Sequence, residues 1–443
     1  MKNMTLSEYL DSLRGKRIAV LGYGVSNRPL VKLLTDAGLD VTVRDKGSLP
    51  EIPGARCVSG ESYLAELTED VVFRTPGLRP DRIPLKEGAV LTSEMEAFFA
   101  LCPCPILAVT GSDGKTTTTT LISELLKASG KKVWLGGNIG HPLLAEAEKI
   151  APEDAAVLEL SSFQLMTLRG RARTAVITNI RPNHLDWHTD LGEYAQAKKH
   201  VFLGQRPEDL LVLNADDPGS LSCKEDAPGR VRLFSRQTPQ PDGAYFDGET
   251  LFFLGEPLMK RSEVRLPGLH NVENWMAALC AVGEQVGAET CRRVAAEFTG
   301  VEHRLEPVRT LDGVEFINDS IASSPSRTAA GLRALAGRSL VLIAGGYDKH
   351  IPYDELGNVI KENVRVLVLC GATAPKIKAA VLAAPGPDPE IVEEGDFAAA
   401  VRAAAKAARP GETVLLSPAS ASFDLFKNFE ERGERFKELV RGL

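Results

Sequence analysis

Ile106-Leu107-Ala108-Val109-Thr110-Gly111-Ser112-Asp113-Gly114-Lys115-Thr116-Thr117 decides how this chain folds. Residues 106 to 109 are apolar without interruption, the pattern of a strand buried on both faces. The run passes straight into a glycine turn and then a Thr-rich helical stretch reaching Ala128. Glycines let successive backbone N–H groups turn toward a phosphate chain, and the helix N-terminus adds partial positive charge. Lys115 can then reach terminal phosphates and Thr116 a magnesium ion. The usual first glycine of a P-loop would fall at position 109, which is Val. The strand before and the helix after favour a phosphate cradle over a plain glycine turn.

Further along, Ala155 to Leu160, Ala175 to Ile180 and Leu210 to Asn214 read as more buried strands. Around 238 to 256 the composition shifts to Pro, Gly, Asp and Phe, which predicts hairpins, and a helix is expected from about 272 to 286. Upstream, Arg17 to Leu21 forms a short β-rich run, followed by Gly22-Tyr23-Gly24, an amphipathic stretch from Arg28 to Ala37, and a second strand, Val41-Thr42-Val43, with Asp45 past its end. That is β-turn-α-β, the opening of a doubly wound sheet. Val71-Val72-Phe73 continues it, and Cys102-Pro103-Cys104-Pro105 resets the pattern. Beyond His303, apolar strands at 314 to 317, 340 to 344, 366 to 369 and 413 to 416 alternate with helices such as 397 to 408. The expected architecture is α/β in three domains. Residues 1–93 form a Rossmann-like unit, 94–302 a central P-loop ATPase-type unit, and 303–443 a second Rossmann-like unit.

The 443 residues are 44% hydrophobic and 25% charged, as in ordinary packed domains rather than disordered or fibrous chains. A net charge of -7 argues against a broad electrostatic grip on nucleic acid or anionic membrane. Seven cysteines, odd in number and without metal or disulfide spacing, fit a reducing compartment. The N-terminus lacks the apolar centre of a signal peptide, and the longest apolar stretch, 98 to 109, is too short to span a bilayer. The expectation is a cytoplasmic protein without nucleic-acid or membrane partners, and a monomer.

Other chemistry-bearing residues follow apolar strands. Glu159 closes one, where nucleotide sheets place a metal-binding acid. Asn179, His184, Asp186 and His188 follow another. Near the start, Gly22 and Gly24 supply two glycines of the dinucleotide fingerprint, with Asn27 in the third place and Asp45 about 20 residues on. Read alone, that pattern suggests NAD.

The ordered set of segments resembles the Mur ligase family. Its marks are GSDGKTT at 111 to 117, Asn138-Ile139-Gly140, LELSSFQL at 158 to 165, TNIRPNHLDWH at 178 to 188 and GLHNVEN at 268 to 274. They continue with GVEHRLEPV at 300 to 308, NDS at 318 to 320, GGYDK at 345 to 349 and LSPASASFDLFKNFEERG at 416 to 433. The last string is similar to that of the D-glutamate-adding branch. The resemblance implies an ATP-dependent amide ligase that joins D-glutamate to UDP-N-acetylmuramoyl-L-alanine through an acyl phosphate, in peptidoglycan precursor synthesis.

By the same resemblance, Gly111, Ser112, Asp113, Gly114, Lys115, Thr116, Thr117, Asn271, Arg304 and Asp319 are implied at the ATP site, with Lys115, Glu159, His184, Lys198 and Arg304 catalytic. Thr116, Glu159, His184 and Lys198, the last as a carbamate, are implied as magnesium-site positions for two ions. The neighbouring Lys199 leaves that register open by one residue. Val25, Ser26, Asp45, Lys46, Thr75, Gly77, Asn138 and His184 are implied for the UDP-substrate. Ser323, Lys349, Ser422, Phe423 and Phe429 are implied for D-glutamate. Ser323 stands where threonine is frequent, and Ile321 where a lysine is common. Three rivals remain: another Mur-type or folylpolyglutamate-type ligase, an NAD-dependent oxidoreductase, and a non-catalytic nucleotide-sugar sensor.

Overall fold

The computed structural model describes residues 4–184, 187–266, 268–348 and 351–443. The chain divides into two compact units, Met1–Phe298 and Thr299–Leu443. The first holds two sheets and the second holds one.

In the first sheet, β1 (Arg17–Leu21), β2 (Asp40–Asp45), β3 (Ala55–Ser59), β4 (Val71–Arg74) and β5 (Val90–Thr92) lie in the order β3-β2-β1-β4-β5, all parallel. The helix Asn27–Asp36 buries Leu30, Val31 and Leu34, spaced along one face, among Ile18, Val20 and Val43 of the strands. Each such side chain taken from water contributes roughly 1.5–3 kcal/mol.

The second sheet contains β6 (Ile106–Thr110), β7 (Val133–Gly137), β8 (Ala155–Glu159), β9 (Thr174–Ile177), β10 (Leu210–Asn214), β11 (Arg230–Ser235), β12 (Ala244–Phe246), β13 (Thr250–Phe253) and β14 (Glu256–Lys260). Their order is β14-β13-β12-β11-β10-β9-β6-β8-β7. Pairings from β7 to β12 are parallel, whereas β12, β13 and β14 form an antiparallel meander with a register shift between Leu251 and Phe252. All five residues of β6 are buried. Ile106 and Ala108 face one core layer, while Leu107 and Val109 face another that includes Leu121, Leu125, Trp275 and Leu279. The uninterrupted apolar run thus has a face for every side chain. The layer containing Ile106 continues through Met95, Phe98 and Leu101 to the first sheet, joining both sheets in one core.

Two arginines reinforce this unit. Arg74, at the end of β4, donates to the Phe163 carbonyl at 2.7 Å and to Thr167 Oγ1 at 3.1 Å, tying the first sheet to the segment after β8. Burial pushes its guanidinium down to about 10. Arg44 pairs with Glu69 through Nη2 at 3.0 Å, both side chains nearly inaccessible, and donates to the carbonyls of Tyr63 and Ala65.

The second unit carries β15 (Glu306–Leu311), β16 (Val314–Asn318), β17 (Leu340–Ala344), β18 (Val364–Leu369), β19 (Glu390–Glu393) and β20 (Thr413–Leu416), in the order β15-β16-β20-β17-β18-β19. The β15–β16 pair is antiparallel, and the other pairings between these strands are parallel. The C-terminal helix Phe429–Arg441 packs Phe436 and Val440 against Phe316 and Val414. No helix among the described residues is long and apolar enough to cross a membrane.

Replacing Arg44 with Met keeps the side-chain volume but strands the Glu69 carboxylate in the interior. The expected cost is about 3 kcal/mol, read as a lower urea midpoint; an unchanged midpoint contradicts the buried-pair assignment.

Candidate functional site

Parallel strands deliver their following loops to one edge of a sheet, and the chemistry of the first unit collects there. The turn after β6 is formed by Gly111 to Gly114, and the helix Lys115–Ala128 starts from it. Gly111 has φ 154° and approaches the next strand so closely that a Cβ would lie 1.9 Å from Thr178 Oγ1. Only glycine fits. Thr178 Oγ1 donates to the Asp113 carbonyl at 2.6 Å, and Asn179 Oδ1 accepts from the Asp113 N–H at 2.9 Å. The Ser112 amide donates to the Asn179 carbonyl. Those two amides therefore stiffen the turn, leaving the first helical turn, Gly114 to Thr117, as its anion-facing end. The Lys115 ammonium donates to the carbonyls of Gly111 at 3.0 Å and Ser112 at 2.8 Å, which keeps it at the turn.

Glu159 ends β8 beside this turn and is 2% exposed. Its Oε1 accepts from Asn138 Nδ2 at 2.8 Å, while its Oε2 is buried without a hydrogen-bond partner. A bare interior carboxylate oxygen is costly unless a cation meets it. With the hydroxyl of the buried Thr116, it would offer oxygen donors of the kind magnesium takes.

Lys198 is 1% exposed, on the inner face of the helix Leu191–Lys199. Its Nζ donates to the Gly111 carbonyl at 2.7 Å and lies 4.5 Å from the centre of the Tyr194 ring. Burial, reinforced by the charge of Lys115, holds this amine well below the ordinary lysine range. Lys199, one residue on, points the other way to pair with Asp226 at 2.6 Å. Of the two lysines between which the sequence left the register open, Lys198 turns its amine inward and Lys199 outward.

His184 is exposed, with φ 54° and its ring edge-on to Phe163 at 4.9 Å. Asp186 lies outside the described residues. His188 is buried, with Nε2 2.9 Å from Ser162 Oγ and Nδ1 3.3 Å from Glu193 Oε2. Burial lowers its pKa. Arg79, from the first sheet's loops, donates to both oxygens of Glu193 and to the Trp187 carbonyl, and holds Glu193 down to about 2. Asn271 and Asn274 open the helix Leu269–Val286; Asn274 donates to Asn271 Oδ1 at 2.9 Å and accepts from Thr118 at 3.3 Å. Beside Leu269 opens a pocket lined by Thr238, Pro239, Tyr245 and Phe246.

The first sheet presents its own loops at the carboxyl ends of its strands. Val25 is exposed and Ser26 half-buried after β1. Asp45 accepts from the amides of Tyr23 and Gly47, Lys46 pairs with Glu61, and the Gly77 carbonyl accepts from Trp187 Nε1 at 3.0 Å. Thr75 packs against Gly22. Asn27, in the third fingerprint position, is buried and donates to the carbonyls of Leu21 and Gly22. Its side chain fills the gap that glycine leaves open for close helix–strand approach in dinucleotide sites.

In the second unit, Asp319 follows β16. It accepts from Leu305 N–H at 3.2 Å and Ser417 Oγ at 2.8 Å, and burial pushes its carboxyl up to about 7. Arg304 is exposed. The Tyr347–Ala421 bridge brings the loop after β17 beside Ser422, which is buried, and Phe423, which is exposed and edge-on to Tyr347 at 6.0 Å. Ser323 is half-buried after β16, and Phe429 starts the C-terminal helix with its carbonyl accepting from Ser320 Oγ. Lys349 lies outside the described residues. Arg74, Arg79, Glu193, Tyr194 and the pocket beside Leu269 were absent from the sequence reading; charged or aromatic residues with no motif around them gave no signal.

Two family models match the chain, the Mur ligase middle domain over residues 109–282 and the Mur ligase, glutamate ligase domain over 303–420. The chain is 49% identical to a protein of Acetivibrio thermocellus named UDP-N-acetylmuramoylalanine--D-glutamate ligase, covering 100% of this chain and 99% of that one. It is 47% identical to a protein of the same name from Clostridium novyi, covering 99% of each. Among solved structures it is similar to a UDP-N-acetylmuramate-alanine ligase of Thermotoga maritima, with TM-score 0.59, 17% identity, and coverage of 96% of this chain and 99% of that one.

Asp319 sets a pH test. Its folded carboxyl titrates at about 7, against about 3.9 in an unfolded chain. The unfolded chain therefore releases its proton first. Relative to Asp319→Asn, stability is full below about pH 4, falls as pH rises to about 7, and is level above. Urea midpoints of both proteins across that range check this, and a difference that does not change with pH contradicts it.

Proposed function

This chain belongs to the Mur ligase family, whose members are ATP-dependent ligases that use magnesium, and on that premise we infer that it joins D-glutamate to UDP-N-acetylmuramoyl-L-alanine. The observation that carries the chemistry is the bare Glu159 oxygen beside a glycine turn that also holds Lys115 and Lys198. A carboxylate is a poor electrophile, so it must be activated before an amine attacks. A carboxylate oxygen of the substrate forms a bond to the γ-phosphorus of ATP as the bond to ADP breaks. The nitrogen of D-glutamate then adds to the acyl carbon, gives up a proton, and expels orthophosphate from the tetrahedral intermediate.

Both partners of the first step are anions, so the site must offset charge as it moves. Lys115 and the amides of Gly114 to Thr117 would hold the phosphates, with Arg304 acting on the group in transfer. Asn271 would meet the adenine and Asp319 the ribose. Thr116, Glu159 and His184 would hold magnesium, which when bound neutralises phosphate charge. Lys198 would carry a carbamate: its neutral amine adds to carbon dioxide, loses a proton, and becomes an anion suited to a second metal ion. Its displaced pKa supports that reading.

We assign residues 1–93 to the UDP-substrate, through Val25, Ser26, Asp45, Lys46, Thr75 and Gly77, with Asn138 and His184 at the sugar-peptide end. Residues 94–302 bind ATP, and residues 303–443 bind D-glutamate through Ser323, Lys349, Ser422, Phe423 and Phe429. The protein acts as a cytoplasmic monomer. Asn138 already braces Glu159, so its share in substrate binding would pass through the backbone or a shift of that amide.

With both substrates present, orthophosphate release is expected for D-glutamate and not for L-glutamate, glycine, L-lysine or meso-diaminopimelate. Release with another member of that panel in place of D-glutamate overturns the substrate assignment. Lys115→Ala should abolish turnover while leaving binding of UDP-N-acetylmuramoyl-L-alanine, measured by calorimetry, nearly unchanged. A large loss of that binding overturns the domain assignment.

A further inference from the structure

Arg304 sits in a turn whose backbone is held against its own preference. His303 has φ 61° and Leu305 has φ 42°, left-handed conformations that non-glycine residues keep only when their surroundings hold them. Three sets of bonds do so. The His303 amide donates to Glu306 Oε2 at 2.9 Å, which also accepts from Asn318 Nδ2 at 2.9 Å. Asn318 Nδ2 also lies 2.9 Å from His303 Nδ1, and the Leu305 amide donates to Asp319. The third set comes from the C-terminal helix. Gly433 lies so close to the His303 ring that a Cβ there would meet Nδ1 at 2.2 Å. One turn further, Lys437, with its side chain 5% exposed, places Nζ 2.5 Å from Glu302, 2.6 Å from Glu434 and 3.4 Å from Glu306.

Glu302, His303 and Glu434 bring their ligand atoms within 4.8 Å of one another, a spacing that suits a cation. The Lys437 ammonium already stands there. Glu302 and Glu306 bracket Arg304 in sequence, so one ammonium fastens both ends of the strained turn to the last helix. His303 Nδ1 also lies 3.9 Å from Glu306 Oε2, but among the described residues Lys437 is the cation paired with both glutamates. We propose that Lys437 is a positioning residue for Arg304, clamping the 302–306 turn so that the arginine is presented in a fixed direction for its work on ATP. The proposal rests on the assignment of Arg304 to the phosphates. Lys437 does not itself touch a substrate; it acts by sparing Arg304 a search among backbone conformers.

A double-mutant cycle on the full chain tests this, using Lys437→Met, Arg304→Ala, their combination, and Lys437→Arg, with kcat and KM measured for each substrate. Lys437→Met should lower kcat about 10-fold to 100-fold while leaving KM for D-glutamate unchanged. In the Arg304→Ala background the same substitution should cost nothing further. Lys437→Arg, which keeps a charge in place, should recover part of kcat and is the arm used in both backgrounds if Lys437→Met fails to fold. An equal loss in both backgrounds, or a rise in KM for D-glutamate that tracks a fall in melting temperature, overturns the proposal in favour of a purely structural role. If Arg304→Ala alone keeps full kcat, it is the assignment of Arg304 to ATP that fails.

Discussion

Two lysine amino groups share one short turn in this protein, and the burial of the second governs the site. Lys198 reaches the Gly111 carbonyl from the end of the helix Leu191–Lys199, and Lys115 reaches the same carbonyl from the start of the helix that follows the turn. Two like charges there would be expensive in a low-dielectric interior, so burial and the charge of Lys115 press the Lys198 amine toward its neutral form. The chain lowers that cost by spreading carbonyl oxygens around both and by leaving Lys198 over the face of Tyr194. It also sets Asp113 and Glu159 within electrostatic range of the same amine.

Much of the fold was legible because parallel sheets buried on both faces write themselves as unbroken apolar runs. The strands expected at 17 to 21, 106 to 109 and 210 to 214 correspond closely to β1, β6 and β10, and the amphipathic 28 to 37 stretch to the helix Asn27–Asp36. The Pro- and Gly-rich segment near 238 to 256 became the β12 to β14 meander, although it also supplies a wall of the pocket beside Leu269. Edge strands escaped notice. β3 and β19 mix exposed and half-buried residues without regular alternation, and no long apolar run announces them.

The site was legible where a motif imposes backbone geometry and obscure where a side chain's direction matters. Gly111 can be read from the sequence because only glycine survives its contact with Thr178. The choice between Lys198 and Lys199 could not be read, since adjacent helical residues point about 100° apart and the periodicity around them is weak. Arg79, clasping Glu193 across more than a hundred residues, belongs to no local pattern at all. The same is true of Lys437, which looks like any lysine on an amphipathic helix until its three carboxylates are found.

The antiparallel meander at the end of the large sheet has a bearing on solubility. β14 is the last strand of the order and has a strand partner on one side alone, the sort of rim on which a stray strand could dock and start an aggregate. Arg292 Nε covers the Leu258 carbonyl on that rim at 2.6 Å, Glu256 and Lys260 flank it with opposite charges, and the register shift opposite Leu251 interrupts the regular ladder. A newly synthesised chain therefore finishes its widest sheet with a border that discourages further growth, and the glycine turn after β6 lies six strands in from that border.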